Sequence, residues 1–306
     1  MGDVLQGIHA TWEFESDSVL IRFERGIRTP KLFQALGERR VPYEALSSVT
    51  LTPGRRGTVV LHAVPRAGAD PLTEAAAGQL RASGDPYRLL LPAERETLAR
   101  YYADELRAAL ARVRGTGTGT GTMGDEQEPA ERYLVTAPEP PLQFKAYDAK
   151  ASFDGDRVTF RWFWTGASSA KWKAGDQSLP VGELQGVEWR SPERFDGYLR
   201  LLRRDDPCSG QPRPGPAPAD HDPATVVFGP GYGPVHESLP FAAAVLEAVQ
   251  AAATGRTAVP VHAVAPARRD PAEVADRIRH LGELHRAGLV TDDEFSAKKA
   301  ELLAEL

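Results

Sequence analysis

Seven basic residues form a pattern with chemical meaning, because they fall in two groups at matching positions of an internal repeat. They are Arg22, Arg25, Arg28, Lys31, Arg161, Lys171 and Lys173. Guanidinium and ammonium groups bind phosphate through charge-assisted hydrogen bonds, so both groups are candidate sites for anionic lipid or a phosphate ligand. The interpretation that we favour at this point is a solvated basic loop, since Glu24 weakens the positive field of the first group.

Other reactive residue types form no recognised catalytic pattern. The seven histidines are scattered, and none has a second histidine four residues away, the spacing that places two metal ligands on one helical face. Cys208 lies in a proline-rich stretch without an evident base. The stretch Gly229-Pro-Gly-Tyr-Gly233 lacks the Lys-Ser/Thr pair of a P-loop and is predicted to be a turn. We therefore predict a protein that is not an enzyme and needs no cofactor or metal.

The composition limits the compartment and the partners. The chain of 306 residues has room for two or three domains. Its net charge of −5 provides no general attraction for polyanions, so we expect no nucleic-acid partner. A single cysteine excludes an intrachain disulfide, which is typical of a reducing compartment, and the N-terminus lacks the features of a signal peptide. These features predict a cytoplasmic protein.

A repeated stretch organises the elements that would position these residues. Val41-Pro-Tyr-Glu-Ala-Leu46 returns as Leu179-Pro-Val-Gly-Glu-Leu184. Before each copy, apolar residues alternate with other residues at positions 19, 21 and 23 and at positions 158, 160 and 162, which predicts strands. The chain is therefore a tandem repeat of one module, followed by a short tail.

Each module is predicted to contain several short strands and one closing amphipathic helix. In the first copy the helix follows Leu91-Pro92, and we interpret Leu239-Pro240 as the same helix start in the second copy. The Gly/Ala-rich residues 68–84 and the proline-rich residues 207–223 interrupt the copies at matching positions, which predicts loops that tolerate change.

The predicted boundaries follow from these patterns and from composition. A run of alternating glycine and threonine followed by acidic residues is typical of a flexible linker. The predicted segments are a first repeat (1–114), a Gly/Thr and acidic linker (115–131), a second repeat (132–254), an Ala/Pro linker (255–269) and a C-terminal helical hairpin (270–306).

The order of elements in each module resembles that of a pleckstrin-homology-like domain. Strand number, strand order and the closing helix carry this resemblance. It implies an α+β fold with two tandem modules, each an antiparallel β-barrel or sandwich with a C-terminal helix. Pleckstrin-homology domains bind phosphoinositide headgroups through basic side chains around their first hairpin, whereas the basic residues here come one strand or loop later.

The tail carries two helix-start signals. Asp270-Pro-Ala-Glu273 and Thr291-Asp-Asp-Glu294 both have the pattern of a capping box, which predicts a two-helix hairpin. A hairpin of this size is too small to be stable alone, so its apolar residues must dock on a second copy, on another protein or on the rest of this chain. The candidate interface residues are Ile278, Leu281, Leu284, Leu289, Phe295, Leu302 and Leu303.

This tail resembles the SHOCT (short C-terminal) domain. The match runs through Leu281-Gly-Glu-Leu284 and continues from Ala287 to Leu303. Together with the two copies, it makes the chain similar to an actinobacterial family that carries a tandem domain of unknown function ahead of a SHOCT domain. The resemblance implies oligomerisation or partner binding by the tail and no assigned activity for the tandem domain.

Aromatic residues are concentrated in the second copy, at Trp162, Phe163, Trp164, Trp172 and Trp189. If the strand continues through these positions, Trp162 and Trp164 share one face and Phe163 takes the other. Core packing accounts for most of them, and an interface between the copies or with a partner would account for the rest.

The sequence thus predicts a non-catalytic cytoplasmic binding or scaffold protein whose tail self-associates or binds an unidentified protein. The alternative is a peripheral membrane protein, or a binder of anionic phosphate ligands, that uses the basic loops of the modules.

Overall fold

A computed structural model describes residues 3–116, 128–194, 196–204 and 218–255. The chain divides into two compact units, Met1–Ala258 and Val259–Leu306. All described residues belong to the first unit, so the predicted hairpin and most of the Ala/Pro linker lie outside them. No helix in the described part of the chain is long and apolar enough to cross a membrane.

Two antiparallel sheets and three helices build the first repeat. The strands of its four-stranded sheet, in spatial order, are β1 (Asp3–Gln6), β2 (Ala10–Phe14), β3 (Ser18–Phe23) and β4 (Glu38–Pro42). The strands of its three-stranded sheet are β5 (Leu46–Pro53), β6 (Thr58–Pro65) and β7 (Arg88–Pro92). The helices are α1 (Lys31–Leu36), α2 (Pro71–Ala76) and α3 (Glu96–Thr116).

The second repeat has the same plan without an equivalent of α2 among its described residues. Its four-stranded sheet contains β8 (Leu142–Lys145), β9 (Ala149–Phe153), β10 (Arg157–Trp162) and β11 (Gln177–Pro180). Its three-stranded sheet contains β12 (Leu184–Arg190), β13 (Tyr198–Arg203) and β14 (Thr225–Val227). The helices are α4 (Ser169–Ala174) and α5 (Val235–Ala253).

The repeated stretch encodes the corner at which the chain passes from one sheet to the other. In the first repeat, Pro42 ends β4, a 3-10 turn follows at Tyr43–Ala45, and β5 begins at Leu46. Because the proline ring fixes φ near −65°, it suits the residue that leads into this turn, and Pro42 has a φ of −58°. The second repeat makes the same corner after Pro180.

Two expectations about the modules need correction. The described residues form four small open sheets, and no sheet closes into a barrel. The helix α5 begins at Val235, with Pro234 as its N-cap, so Pro240 lies inside the helix, whereas Pro92 ends a strand. The shared Leu-Pro dipeptide therefore does not mark equivalent positions in the two repeats.

The insertion of the first repeat is an interface element and is not a peripheral loop. It contains α2, whose buried residues Leu72, Ala75 and Ala76 lie in the same apolar cluster as the core of the second repeat. Leu32 of α1 joins that cluster as well. The first repeat keeps a separate core of its own around Trp12 and Leu61. The two repeats are therefore fused through shared apolar burial.

A buried ion pair fixes the start of α2. The Arg39 guanidinium on β4 donates to the Asp70 carboxylate at 2.6 Å, and both side chains are almost fully buried. The same carboxylate caps α2 by accepting hydrogen bonds from the backbone N–H groups of Leu72 and Thr73. Arg39 therefore orients the helix that enters the second repeat.

A side-chain amide connects the segment after α2 to a strand of the second repeat. The Gln79 Nε2 donates to the Trp189 carbonyl at 2.9 Å, and the Gln79 Oε1 accepts from the Ser191 N–H at 3.0 Å. Gln79 thus forms two hydrogen bonds at the end of β12, as a neighbouring strand would.

The end of the predicted linker packs on the first repeat. The Ala130 N–H donates to the Ala67 carbonyl at 2.8 Å, and Val135 lies in the core of the first repeat. Gly68 permits this approach, because a Cβ at this position would lie 2.6 Å from the Ala130 carbonyl oxygen. Val135 therefore contributes to the first repeat although the sequence placed it in the second.

The shared core predicts that Leu72 contributes strongly to the stability of the protein. Replacement by alanine should lower the free energy of unfolding by about 2–5 kcal/mol, because the side chain is fully buried against the second repeat. Urea unfolding of the full chain measures this change. The matched control is Leu98→Ala on the exposed face of α3, which should stay within about 0.5 kcal/mol of the parent. Equal effects of the two substitutions would contradict the fusion of the repeats through α2.

Candidate functional site

The basic residues of the first repeat lie in and after β3. Arg22 is part of the strand, and its guanidinium pairs with Glu13 and, at 3.7 Å, with Glu38. Arg25 and Arg28 are exposed in the loop between β3 and α1, and Lys31 is exposed at the start of α1. Three of the four cations are therefore exposed, Lys31 beside a groove that His236 also lines, whereas the fourth is engaged by carboxylates.

The loop that carries Arg25 and Arg28 is held in one turn. The Thr29 N–H donates to the Gly26 carbonyl at 3.0 Å, and Thr29 is buried. The Gln34 amide on α1 donates to the carbonyls of Gly26 and Thr29, both at 2.9 Å. This geometry projects Ile27 fully into solvent, with a relative exposure of 106%.

Lys171 corrects the expectation for the second repeat. It lies on α4 but is fully buried, and its Nζ donates to the Asp148 Oδ2 at 2.6 Å. The ammonium also lies 5.1 Å from the centre of the Trp162 ring. Because a buried charge needs a partner, Lys171 is committed to Asp148 and is not part of an exposed anion site.

The other two basic residues of this group differ in exposure. Arg161 lies in β10 and is half-buried, whereas Lys173 is exposed on α4. The second repeat therefore does not reproduce the exposed cationic loop of the first.

Asp148 joins three segments of the second repeat. Its Oδ1 accepts from the Val227 N–H at 2.9 Å, its Oδ2 accepts from Lys171, and its backbone carbonyl accepts from the Phe163 N–H at 2.7 Å. Burial raises the pKa of the Asp148 carboxyl, although the Lys171 ammonium and the hydrogen bond from the Val227 N–H oppose that shift. The contacts indicate that this pair positions the loops at one end of the repeat.

The first repeat uses an aromatic stack where the second uses this ion pair. Phe33 is the third residue of α1, as Lys171 is of α4. Phe33 stacks on Phe23 with 4.8 Å between ring centres, and Trp162 occupies the place of Phe23. The position in the helix therefore equates Lys171 with Phe33, whereas the spacing from Phe23 and Trp162 in the sequence pairs Phe33 with Trp172.

The aromatic residues of the second repeat separate into two classes. Trp162 and Trp189 are buried in the core. Phe163, Trp164 and Trp172 are half-buried, and the last two meet edge to face with 4.7 Å between ring centres. Because β10 ends at Trp162, Phe163 and Trp164 lie in the following loop, and the expected alternation across a strand does not apply.

A groove of about 500 Å³ lies beside this end of the second repeat. Its walls include Tyr147, Asp148, Ser168, His221 and Gly229. The exposed ring of Tyr147 meets that of Tyr232 at 6.0 Å. The volume falls within the range of small-molecule sites, so the groove could hold a non-covalent ligand.

No group of three histidine, cysteine, aspartate or glutamate residues could hold a metal ion within the described ranges. Cys208 and three of the histidines lie outside those ranges, as do all seven candidate interface residues of the tail. The segment from Gly229 to Gly233 connects β14 and α5 as a turn, as its sequence predicts.

Comparison with known families agrees with the internal repeat. A model of a domain of unknown function (DUF4429) matches residues 12–107 and again residues 151–246. The chain belongs to this family. A model of the short C-terminal domain (SHOCT) matches residues 276–303, outside the described part of the chain. No curated protein matches the sequence. The predicted order of a tandem domain of unknown function ahead of a SHOCT domain is confirmed.

The sequence interpretation missed the contact surface between the DUF4429 repeats, although two signals were present. Asp70-Pro71 begins α2 with the same cap and first-position proline that the sequence analysis used at residues 270–271. In addition, α5 is apolar on nearly all sides, which is typical of a helix buried on two faces, whereas α3 carries charges on its outer face.

The role of Asp148 as a positioning residue predicts a specific pattern of stability. Asp148→Asn should cost about 3–5 kcal/mol of unfolding free energy, because it leaves the buried Lys171 ammonium without its partner. Adding Lys171→Met should recover a large part of this loss. Denaturant unfolding of the full chain measures both effects.

The control for this cycle is the exposed pair of Arg190 and Asp196 at 2.6 Å. Asp196→Asn should change the unfolding free energy by less than about 1 kcal/mol. Additive effects of Asp148→Asn and Lys171→Met would show that the two groups do not depend on each other.

Proposed function

We propose that this protein is a non-catalytic binding protein, in which two DUF4429 repeats form one rigid platform and the C-terminal segment self-associates or binds a partner. The observation that carries the proposal is the burial of α2 of the first repeat in the core of the second. Apolar side chains from both repeats are buried together in one core, and separating the repeats would expose them to water. The surfaces of the two repeats therefore keep a fixed relative position. The predicted cytoplasmic location belongs to the same proposal.

The elements of each repeat support a pleckstrin-homology-like arrangement. Each repeat places a four-stranded antiparallel sheet before a three-stranded one and then adds a long helix. This order agrees with the resemblance inferred from the sequence. Folds of this kind present loops at one end of the two sheets, and the cationic loop and the groove of this chain both lie in such loops.

The buried charges support a binding role over catalysis. The Arg39–Asp70 pair caps α2, and the Lys171–Asp148 pair joins the loops of the second repeat. Catalytic groups of an enzyme face a substrate. Arg39, Asp70 and Lys171 are instead almost fully buried in their ion pairs, and Asp148, which lines the groove, is engaged by Lys171 and by the Val227 N–H.

The C-terminal segment is the proposed assembly element. It falls in a compact unit of its own, Val259–Leu306, and carries the match to the SHOCT domain. Its predicted helices place apolar residues on one face, which a hairpin of this length cannot bury by itself. A second copy of the same segment offers a matching apolar face, so self-association is the simplest way to cover it.

Light scattering after size-exclusion chromatography tests this proposal on the full chain. The parent should form an oligomer, and the double substitution Leu281→Asp/Leu302→Asp should yield a monomer, because charge at an apolar contact is unfavourable. The control Arg279→Asp/Ser296→Asp introduces the same residue away from the predicted apolar positions and should keep the oligomer. A monomeric parent would overturn self-association and leave docking on this chain or on another protein.

A second candidate function is favoured by the exposed cations of the first repeat. Arg25, Arg28 and Lys31 are all exposed within the short stretch 25–31, and none of them forms an ion pair with another described residue. Such a group attracts phosphate at low ionic strength. We therefore propose anionic phosphate groups, of a lipid or of a free ligand, as the partner of this loop.

Charge reversal tests the second candidate. Arg25→Glu/Arg28→Glu should strongly reduce flotation of the full chain with vesicles that contain anionic lipid, and high salt should abolish flotation of the parent. The matched control is Arg55→Glu/Arg56→Glu, two exposed arginines in the loop between β5 and β6. No flotation of the parent at low salt, together with no binding of inorganic phosphate by calorimetry, would eliminate this function.

A further inference from the structure

The exposed isoleucine of the cationic loop has no role in the fold. Ile27 contributes nothing to either core, and its side chain lies fully in water. A single exposed apolar residue is ordinary on a protein surface. Here, however, it stands at the tip of a turn that Gln34 and buried Thr29 hold in place. The isoleucine is therefore presented in a defined direction at little entropic cost.

The charges around Ile27 define the partner. Arg25 and Arg28 flank it in sequence, and Lys31 follows at the start of α1. One carboxylate, that of Glu24, lies in the same stretch, so the loop is positive overall. An exposed apolar tip with an exposed arginine on each side in sequence complements the boundary of an anionic bilayer, where phosphate groups surround hydrocarbon.

A second turn extends this surface. The Glu24 N–H donates to the His9 carbonyl at 2.9 Å, which ties the loop after β3 to the turn between β1 and β2. That turn carries Ile8, whose relative exposure is 38%. Two apolar residues on neighbouring turns thus lie at the same end of the first repeat.

The second repeat lacks this combination. The corresponding loop carries Thr165 and Gly166, and a Cβ at Gly166 would lie 2.3 Å from the Tyr147 carbonyl oxygen, so that the loop is pressed onto the β8–β9 turn. Of its three expected cations, Lys171 is buried and Arg161 is half-buried, whereas Lys173 is exposed on α4. Within the described ranges, the loop after β3 thus combines an exposed apolar tip with exposed cations, and the loop after β10 does not.

We propose that the turn at residues 25–28 inserts Ile27 into the headgroup and acyl boundary of an anionic lipid bilayer, while Arg25, Arg28 and Lys31 bind lipid phosphates. This inference rests on the second candidate function and narrows it to a lipid surface. A free phosphate ligand satisfies the cations but gains nothing from Ile27, whereas a bilayer removes its apolar area from water.

Flotation of the full chain with vesicles of mixed neutral and anionic phospholipid tests the insertion. Ile27→Asn should lower the partition coefficient on the order of 10-fold at low salt, and Ile27→Leu should retain it. Arg25→Glu/Arg28→Glu should lower it on the order of 100-fold, since each cation near an anionic surface contributes to binding. The control Arg55→Glu/Arg56→Glu should behave as the parent.

The outcomes separate the two proposals. If Ile27→Asn floats like the parent while Arg25→Glu/Arg28→Glu does not, binding is purely electrostatic, and the insertion is overturned although the anionic partner stands. If the parent binds inorganic phosphate but no vesicle, the partner is a free ligand and the insertion is again overturned. Equal losses in the control pair would overturn it too, because overall charge would then govern binding.

Discussion

Asp70 holds a position on which the arrangement of the whole described unit depends. Its carboxylate is buried, so it must be neutralised and hydrogen-bonded, and it meets both needs at once. Arg39 from the first sheet supplies the opposite charge, and the first turn of α2 supplies two N–H donors. The helix is thereby aimed outward from the first repeat, and its apolar residues complete the core of the second. One polar contact therefore sets the geometry of a much larger apolar one.

The two repeats have diverged around the same frame. Both turn the corner between their sheets with a proline and a 3-10 turn, and both pair their strands in the same order. They differ in the short helix after the third strand and in the loops next to it. The first repeat packs Phe33 on Phe23 and leaves its neighbouring loop exposed, while the second replaces the phenylalanine by Lys171 and ties its loops together through Asp148. The scaffold is therefore the same in both repeats, and the contacts within the loops differ.

The loops of the first repeat and those of the second therefore form two surfaces of different chemistry. One is cationic with an apolar tip, and the other carries half-buried aromatic side chains beside a groove. Because the repeats share a core, binding at one end cannot reorient the other without breaking apolar contacts. If the C-terminal segment self-associates as proposed, several copies of each surface would be brought together, and this would raise the strength of a weak surface contact.

The sequence by itself determined the duplication, the strands and closing helix of each module and the tandem order of the domains, because repeated motifs and hydrophobic periodicity are legible within short stretches of chain. Only the tertiary structure decided which residues those local patterns bring together. Lys171 has the same side chain whether solvated or buried, and its burial follows from Asp148, 23 positions away in sequence. Likewise, α2 is a short helix whose partner lies in the other repeat. Contacts of this kind depend on long-range packing, which local sequence patterns do not encode.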